Sequence, residues 1–377
     1  MEEKAKKLLE ATATPLASIF GSGFLVIVPI LYGAVGPYSL VAMACVCGLA
    51  YAVGSVIRYN IRYAEPLLEA GNAPHRAVFF EHTADVALVM SYAISVCLYI
   101  RILAAFLLGG LKMDTPFNEH IVSVVVIGSI GLVGYFKGLD MLQELETLAL
   151  AVTLLIIVAL LAAFGSFDFH AFTGATIELP AMPNHSWWEI ATIVGGTLIV
   201  VQGFETSRYL EEEYDQETRI RSCRRSQLVS TAVYLVFVAL ATPLMHFLGG
   251  KVEDNGLILL AAKASSLLTF PLVAAAVLSQ FSAAVADTIA GGGNLAEATK
   301  GHVDSRHGYV LICGVGIVLA FFNTLTILAL ASRAFAFYYA LQCFVAINIS
   351  KKSLEKWAIR LLAAVLIFIA VFSVPAG

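Results

Sequence analysis

The sequence predicts an all-α, polytopic membrane protein of about eleven spanning helices. Three observations carry this: 59% of the 377 residues are apolar and only 13% charged, mean hydropathy is +0.84, and the apolar residues gather in runs of span length broken by turn signals. Soluble domains hold about 45–50% apolar and about 25% charged residues, whereas a membrane-crossing helix needs roughly 20 apolar residues in succession. A net charge of −4 without a basic face argues against nucleic acid as a partner. The lipid bilayer is the partner expected first.

The charged segment Met1–Glu10 lacks the basic-then-apolar order of a cleaved signal peptide and reads as a short amphipathic lead into the first span. The spans are expected at 13–34, 38–60, 82–109, 119–136, 142–164, 187–210, 226–248, 270–298, 308–322, 324–349 and 356–375. Gly36-Pro37 separates the first two, and Asp114, Pro116 and Asn118 open the fourth. The stretch 165–186, with Pro180, Pro183 and Asn184, is expected to be the longest non-helical connection. Residues 256–266 are apolar but too short to span, so a surface helix is expected there. Five of the six cysteines sit inside apolar runs as small hydrophobes. Cys45 and Cys47 lack the histidine or second pair of a metal site.

Orientation follows from the bias of Lys and Arg toward cytoplasmic loops. With the N-terminus in the cytoplasm, eighteen of the 23 Lys and Arg fall inside, three (Lys112, Lys251, Lys263) fall outside, and Arg101 and Arg333 lie within spans. The expected location is the cell (inner) membrane, with the C-terminus outside.

Two spans carry interruptions that a membrane helix tolerates only where it lines a cavity or is buried in protein. The first reads Gly21-Ser22-Gly23-Phe24, and the sixth Val200-Val201-Gln202-Gly203-Phe204-Glu205. Glycines in membrane helices also serve close packing. Here, however, the two interruptions take corresponding positions in two five-helix halves, the pattern that marks a transporter's binding site at an inverted-repeat interface. The halves are 13–164 and 187–350, with 356–375 a peripheral eleventh helix.

These residues resemble the amino acid–polyamine–organocation superfamily of secondary transporters. Gly21-Ser22-Gly23 is similar to the GSG of its first helix, and Gln202-Gly203-Phe204-Glu205 with Glu211-Glu212-Glu213 to its sixth-helix run. Lys137-Gly138 and the Asn323-to-Ser350 helix followed by Lys351-Lys352 are similar to later landmarks. The resemblance covers about 13–350 and lacks the twelfth helix of larger members. It implies a five-plus-five inverted repeat with helices 1 and 6 broken. The amides of Ser22, Gly23 and Phe24 would head a half-helix suited to a carboxylate, and the carbonyls of Val200, Val201 and Gln202 would suit an ammonium group. Phe20 and Phe204 would act as lids.

For the coupling ion, Asp287 stands out because an ionisable residue at membrane depth is costly. Ala284, Asp287 and Thr288 share a helix face. In sodium-coupled members of the fold a similar face, with carbonyls of the first helix, holds sodium; by position those are Ala17 and Phe20. Many proton-coupled relatives carry a fifth-helix lysine where this chain has Thr153, which points to sodium or to a proton carried by Asp287. The competing reading pairs Asp287 with Arg101 or Arg333. Glu205 is either a proton acceptor or substrate contact, or the partner of Arg208. Arg219, Arg221, Arg224 and Arg225 are read as topology charges, and Glu144 and Glu146 as acids favoured at a helix start.

The expected function is alternating-access transport of a small amine-containing organic solute, an amino acid before others, coupled to Na+ or H+. A receptor or channel on the same scaffold, or an inorganic cation transporter, is the alternative. No enzyme activity, organic cofactor or metal centre beyond a Na+ site is expected, and a homodimer is left open.

Overall fold

The computed structural model describes residues 2–21, 23–211, 213–299 and 301–376, without the side chains of residues 2, 3, 5 and 140–144. Ser22, Glu212 and Lys300, and the side chain of Glu144, therefore lie outside the described residues. Fourteen α-helices form the described chain: α1 (Glu2–Gly21), α2 (Ile27–Val35), α3 (Ser39–Tyr59), α4 (Glu65–Glu69), α5 (His75–Leu111), α6 (Pro116–Lys137) and α7 (Asp140–Thr173). They continue as α8 (Trp187–Gly195), α9 (Gln216–Ala241), α10 (Gly256–Ala264), α11 (Thr269–Ala298), α12 (Ser305–Leu319), α13 (Thr324–Ile349) and α14 (Ser353–Phe372). No strand occurs among the described residues. Seven helical stretches are long and apolar enough to cross a membrane, so the chain is a polytopic membrane protein. The first expected span is cut after Gly21, its second half joining the stretch Ile27–Glu69, and the sixth is cut into short pieces; the ninth is a helix of 15 residues, Ser305–Leu319, and the eleventh is also not among the seven.

Several boundaries differ from expectation: α5 and α9 start seven and ten residues early, at His75 and Gln216. The charged lead and the start of the first span form one helix, α1, which runs through Pro15. The connection expected over 165–186 is shorter, because α7 continues to Thr173. Gly165 alone does not end a helix, since an isolated glycine costs only about 1 kcal/mol. The stop comes where the amides of Gly174 and Thr176 turn back to the His170 and Ala171 carbonyls, with Ala175 at φ 53°.

The core is built around α5, which packs against α6, α11, α12 and α13, while α1 and α3 pack against α9. Elements of the two sequence halves therefore interleave. The short helix α10 buries Leu257, Leu260 and Ala261 against α2, α7 and α11. The eleventh expected span, α14, leans on α13.

Candidate functional site

Both sequence interruptions are breaks in the structure. α1 stops at Gly21, Gly23–Val26 form a turn in which the Val26 amide donates to the Gly23 carbonyl at 3.1 Å, and α2 begins at Ile27. α8 stops at Gly195, and a 3₁₀ turn over Leu198–Val201 gives way to the extended Gln202. Gly203, at φ 118°, then starts a second 3₁₀ stretch, Phe204–Tyr209. A membrane helix that breaks must re-satisfy its backbone, and here side chains do so. Gln280 Nε2 donates to the Gly21 carbonyl at 2.9 Å. The Tyr234 hydroxyl lies 3.2 Å from the Ile19 carbonyl oxygen and 2.7 Å from that of Val200. Ser332 Oγ accepts from the Ile199 amide and donates to the Gly196 carbonyl. Glu205 accepts from the Gly203 amide at 2.9 Å and from the Tyr339 hydroxyl at 2.8 Å.

The two breaks press on each other. A Cβ at Gly203 would lie 2.5 Å from Ser18 Oγ and 2.7 Å from the Ile19 nitrogen, and one at Gly23 would lie 2.7 Å from a Val200 methyl. The space for a solute is beside the breaks. A cavity of about 460 Å³ is walled by α1, α5, α7, α11 and the chain after Gly203, and its wall runs out to Thr14, Glu146, Glu211 and Glu297. On the other side of Phe20 the rings of Phe24, Tyr234, Phe237 and Phe164 follow one another at centroid spacings of 4.2–6.3 Å. The chamber is thus backed by an aromatic plug.

The predicted residues distribute unevenly around this chamber. Gly21, Ala17, Phe20 and Asp287 line it. Gly23, Phe24, Val200, Val201, Gln202, Gly203, Phe204 and Glu205 are buried behind its wall, and Ser22 lies outside the described residues. Ala284 and Thr288 are fully buried next to Asp287, with the Thr288 hydroxyl donating to the Ala284 carbonyl at 2.7 Å. Phe204 stacks on Tyr339 with centroids 5.5 Å apart.

Three pairings left open as alternatives do not form. Asp287, 6% exposed, accepts hydrogen bonds from Ser95 and Tyr99 and has no arginine. Arg101 bonds Glu119 at 2.7 Å and so pins α5 to α6, while Arg333 donates to the Val371 carbonyl on α14. Arg208 does not pair with Glu205. It bonds Glu65 at 3.1 Å and Glu81 at 2.7 Å, because two carboxylates on α4 and α5 offer it more negative charge than one already engaged by an amide and a phenol. Arg219 is no exposed topology charge: it is buried, bonding Glu65 at 2.8 Å and the Arg208 carbonyl at 2.7 Å.

Several residues in the wall, and Ser95 behind it, escaped the sequence reading. Tyr92, Ser95 and Tyr99 recur at a spacing of three and four along α5, a polar stripe in an apolar run, and Tyr99 joins Asp287 to the Gln202 side chain, whose Nε2 donates to it at 3.1 Å. Glu146, taken as a helix-start acid, faces the cavity.

A bundle of membrane helices with two apposed breaks and a chamber beside them that holds a buried carboxyl is the architecture expected of a solute transporter. The comparisons agree. The family described as "APC superfamily transporter" matches residues 2–374, and the chain belongs to it. An uncharacterized protein of Aquifex aeolicus (strain VF5) is 38% identical over 375 residues, covering 97% of this chain and 91% of that one.

Proposed function

We propose that the protein is a secondary active transporter that carries a small amine-bearing organic solute, an amino acid in the first instance, driven by Na+ or H+ acting at Asp287. One observation carries this reading: a buried carboxyl faces the chamber held by two hydroxyls, with no cationic side chain bonded to it among the described residues. A charge at that depth must be neutralised, either by taking a proton or by holding a cation, and each couples chamber occupancy to an ion. The bias of Lys and Arg supports a cytoplasmic N-terminus in the cell membrane, so the chamber mouth would face the cytoplasm and the aromatic plug would close the outer path. Alternating access then requires the plug to part while the mouth closes.

The test is uptake into sealed proteoliposomes under an imposed Na+ or pH gradient, comparing the parent with Asp287→Asn. Concentrative, gradient-dependent uptake lost in a variant that elutes as folded protein is the expected result. Unchanged gradient dependence in Asp287→Asn would remove the coupling role, and binding without concentrative uptake by the parent would replace transport with a receptor.

A further inference from the structure

Asp287 is not the only acid in the chamber. Glu146, Glu211 and Glu297 share its wall, and no Lys, Arg or His does among the described residues. Glu211 is an exposed neighbour of Arg219, at 4.0 Å, and Glu297 is exposed, so both serve as mouth charges. Glu146 differs: it is partly buried and has neither a hydrogen bond nor an ion pair among the described residues. It sits near enough to Asp287 for the two carboxylates to repel.

An independent feature points into the same space. Tyr92 lines the chamber at 2% exposure, and its ring touches Phe335, yet its hydroxyl makes no hydrogen bond among the described residues. Thr153 Oγ1, on the same face of α7 as Glu146 two turns on, is likewise buried without a partner. Buried polar groups are normally satisfied, so a phenol and a threonine hydroxyl left open beside an unpaired carboxylate describe acceptors waiting for a donor. On the sixth-helix side, two amides that could meet a solute carboxylate are taken: that of Gly203 by Glu205 and that of Ile199 by Ser332.

We propose that Glu146, flanked by Tyr92 and Thr153, is the residue that reads solute charge, seating a positively charged group beyond the one amine common to all amino acids. The preferred solute is then net cationic, a basic amino acid or a diamine, and not a neutral or acidic zwitterion. This rests on the transport reading above. Glu146 is separate from the coupling role given to Asp287, because a second carboxylate is left for the solute when Asp287 holds its ion.

The test measures thermal stabilisation of the purified full chain by lysine, 1,4-diaminobutane, alanine and glutamate, since a ligand that binds only the native state raises apparent stability. Lysine and the diamine are expected to act at concentrations about tenfold below alanine, the size of one charge-assisted hydrogen bond, and glutamate not at all. Glu146→Gln should erase that preference, weakening the two cations far more than alanine; Glu146→Asp should retain most of it. Tyr92→Phe should weaken the cations selectively, which keeps the proposal testable if the Gln variant does not fold. Alanine or glutamate acting as well as lysine, or Glu146→Gln weakening every solute equally, overturns the charge-reading role and leaves transport standing. Stabilisation by none of the four overturns both.

Discussion

Gly203→Ala tests the apposition of the two breaks. At φ 118° the residue lies where side chains other than glycine's are strained, which costs roughly 1–3 kcal/mol. The new methyl would also meet Ser18 Oγ at 2.5 Å, Ser18 Cβ at 2.7 Å and the Ile19 nitrogen at 2.7 Å. The serine oxygen can rotate away, but the Ile19 nitrogen is backbone of α1, so the overlap forces the broken helices apart at about 1–3 kcal/mol. The sum, roughly 2–6 kcal/mol, is a large share of the about 5–15 kcal/mol that separates native from unfolded proteins. Gly48→Ala is the control: Gly48 lies within α3 with nothing within 4 Å of its added Cβ, and the change should be neutral or stabilising by about 0.5–1 kcal/mol. Thermal and denaturant unfolding of the purified proteins, read beside transport, gives the comparison. Gly203→Ala as stable and as active as the parent would refute the close contact of Gly203 with α1.

Arg208→Gln should destabilise by about 3–5 kcal/mol, because it leaves Glu81 buried without its cation and Glu65 with Arg219 alone; with Glu81→Gln added, denaturant unfolding should show a combined cost below the sum of the two, and simple additivity would discount the pair. Asn323→Ala removes the acceptor of the Thr326 amide, 2.7 Å away at the start of α13, and should cost about 1 kcal/mol, with Asn323→Asp close to the parent in the same assay. At the start of α12 the His307 amide donates to Asp304 at 2.9 Å, which holds the Asp304 carboxyl below the usual aspartate range. A depressed value stabilises the fold above the unfolded aspartate range, about 3.9, and that contribution fades as pH falls through the lower folded value. Denaturation midpoints should therefore show the advantage of the parent over Asp304→Asn shrinking between about pH 5 and about pH 3, and a constant difference would exclude the cap.

The breaks were legible because their cause is local. Gly-Ser-Gly in the first span and Gln-Gly-Phe-Glu in the sixth interrupt apolar runs, and no tertiary information is needed to see that such a run will not continue as regular helix. The end of α7 was misplaced for the opposite reason: Gly165 looks like a stop, yet the eight residues after it contain no proline and continue the helix. The chamber wall was legible only in part. The polar stripe Tyr92, Ser95 and Tyr99 has helical spacing and could have been found beside Asp287. The pairing of Arg208 with Glu65 and Glu81, 143 and 127 positions away, could not. Which carboxylate receives a buried arginine is decided by how helices pack, and Glu205, three positions away in sequence, was already engaged.

The satisfied backbone of the breaks changes where a solute should be sought. Bare amides and carbonyls between helices 1 and 6 would be the natural grip for a zwitterion, but Gly21, Val200, Gly203 and Ile199 each have a side-chain partner in this conformation. A solute seated there would have to break those bonds and separate Gly203 from Ser18, giving up interactions worth about 1 kcal/mol each before any new contact forms. The chamber asks for no such exchange, since among the described residues the Tyr92 and Thr153 hydroxyls and the Glu146 carboxylate have no hydrogen-bond partner and Asp287 has only neutral ones. Binding there also reaches the breaks indirectly: Asp287 bonds Tyr99, Tyr99 bonds Gln202, and Gln202 precedes the one residue of the sixth-helix break with positive φ. Whatever alters the charge at Asp287 alters the last link before Gly203, so this chain of three side chains, beside the direct bond from the wall residue Thr206 to the Gly203 carbonyl at 2.7 Å, is a physical route from chamber occupancy to the hinge.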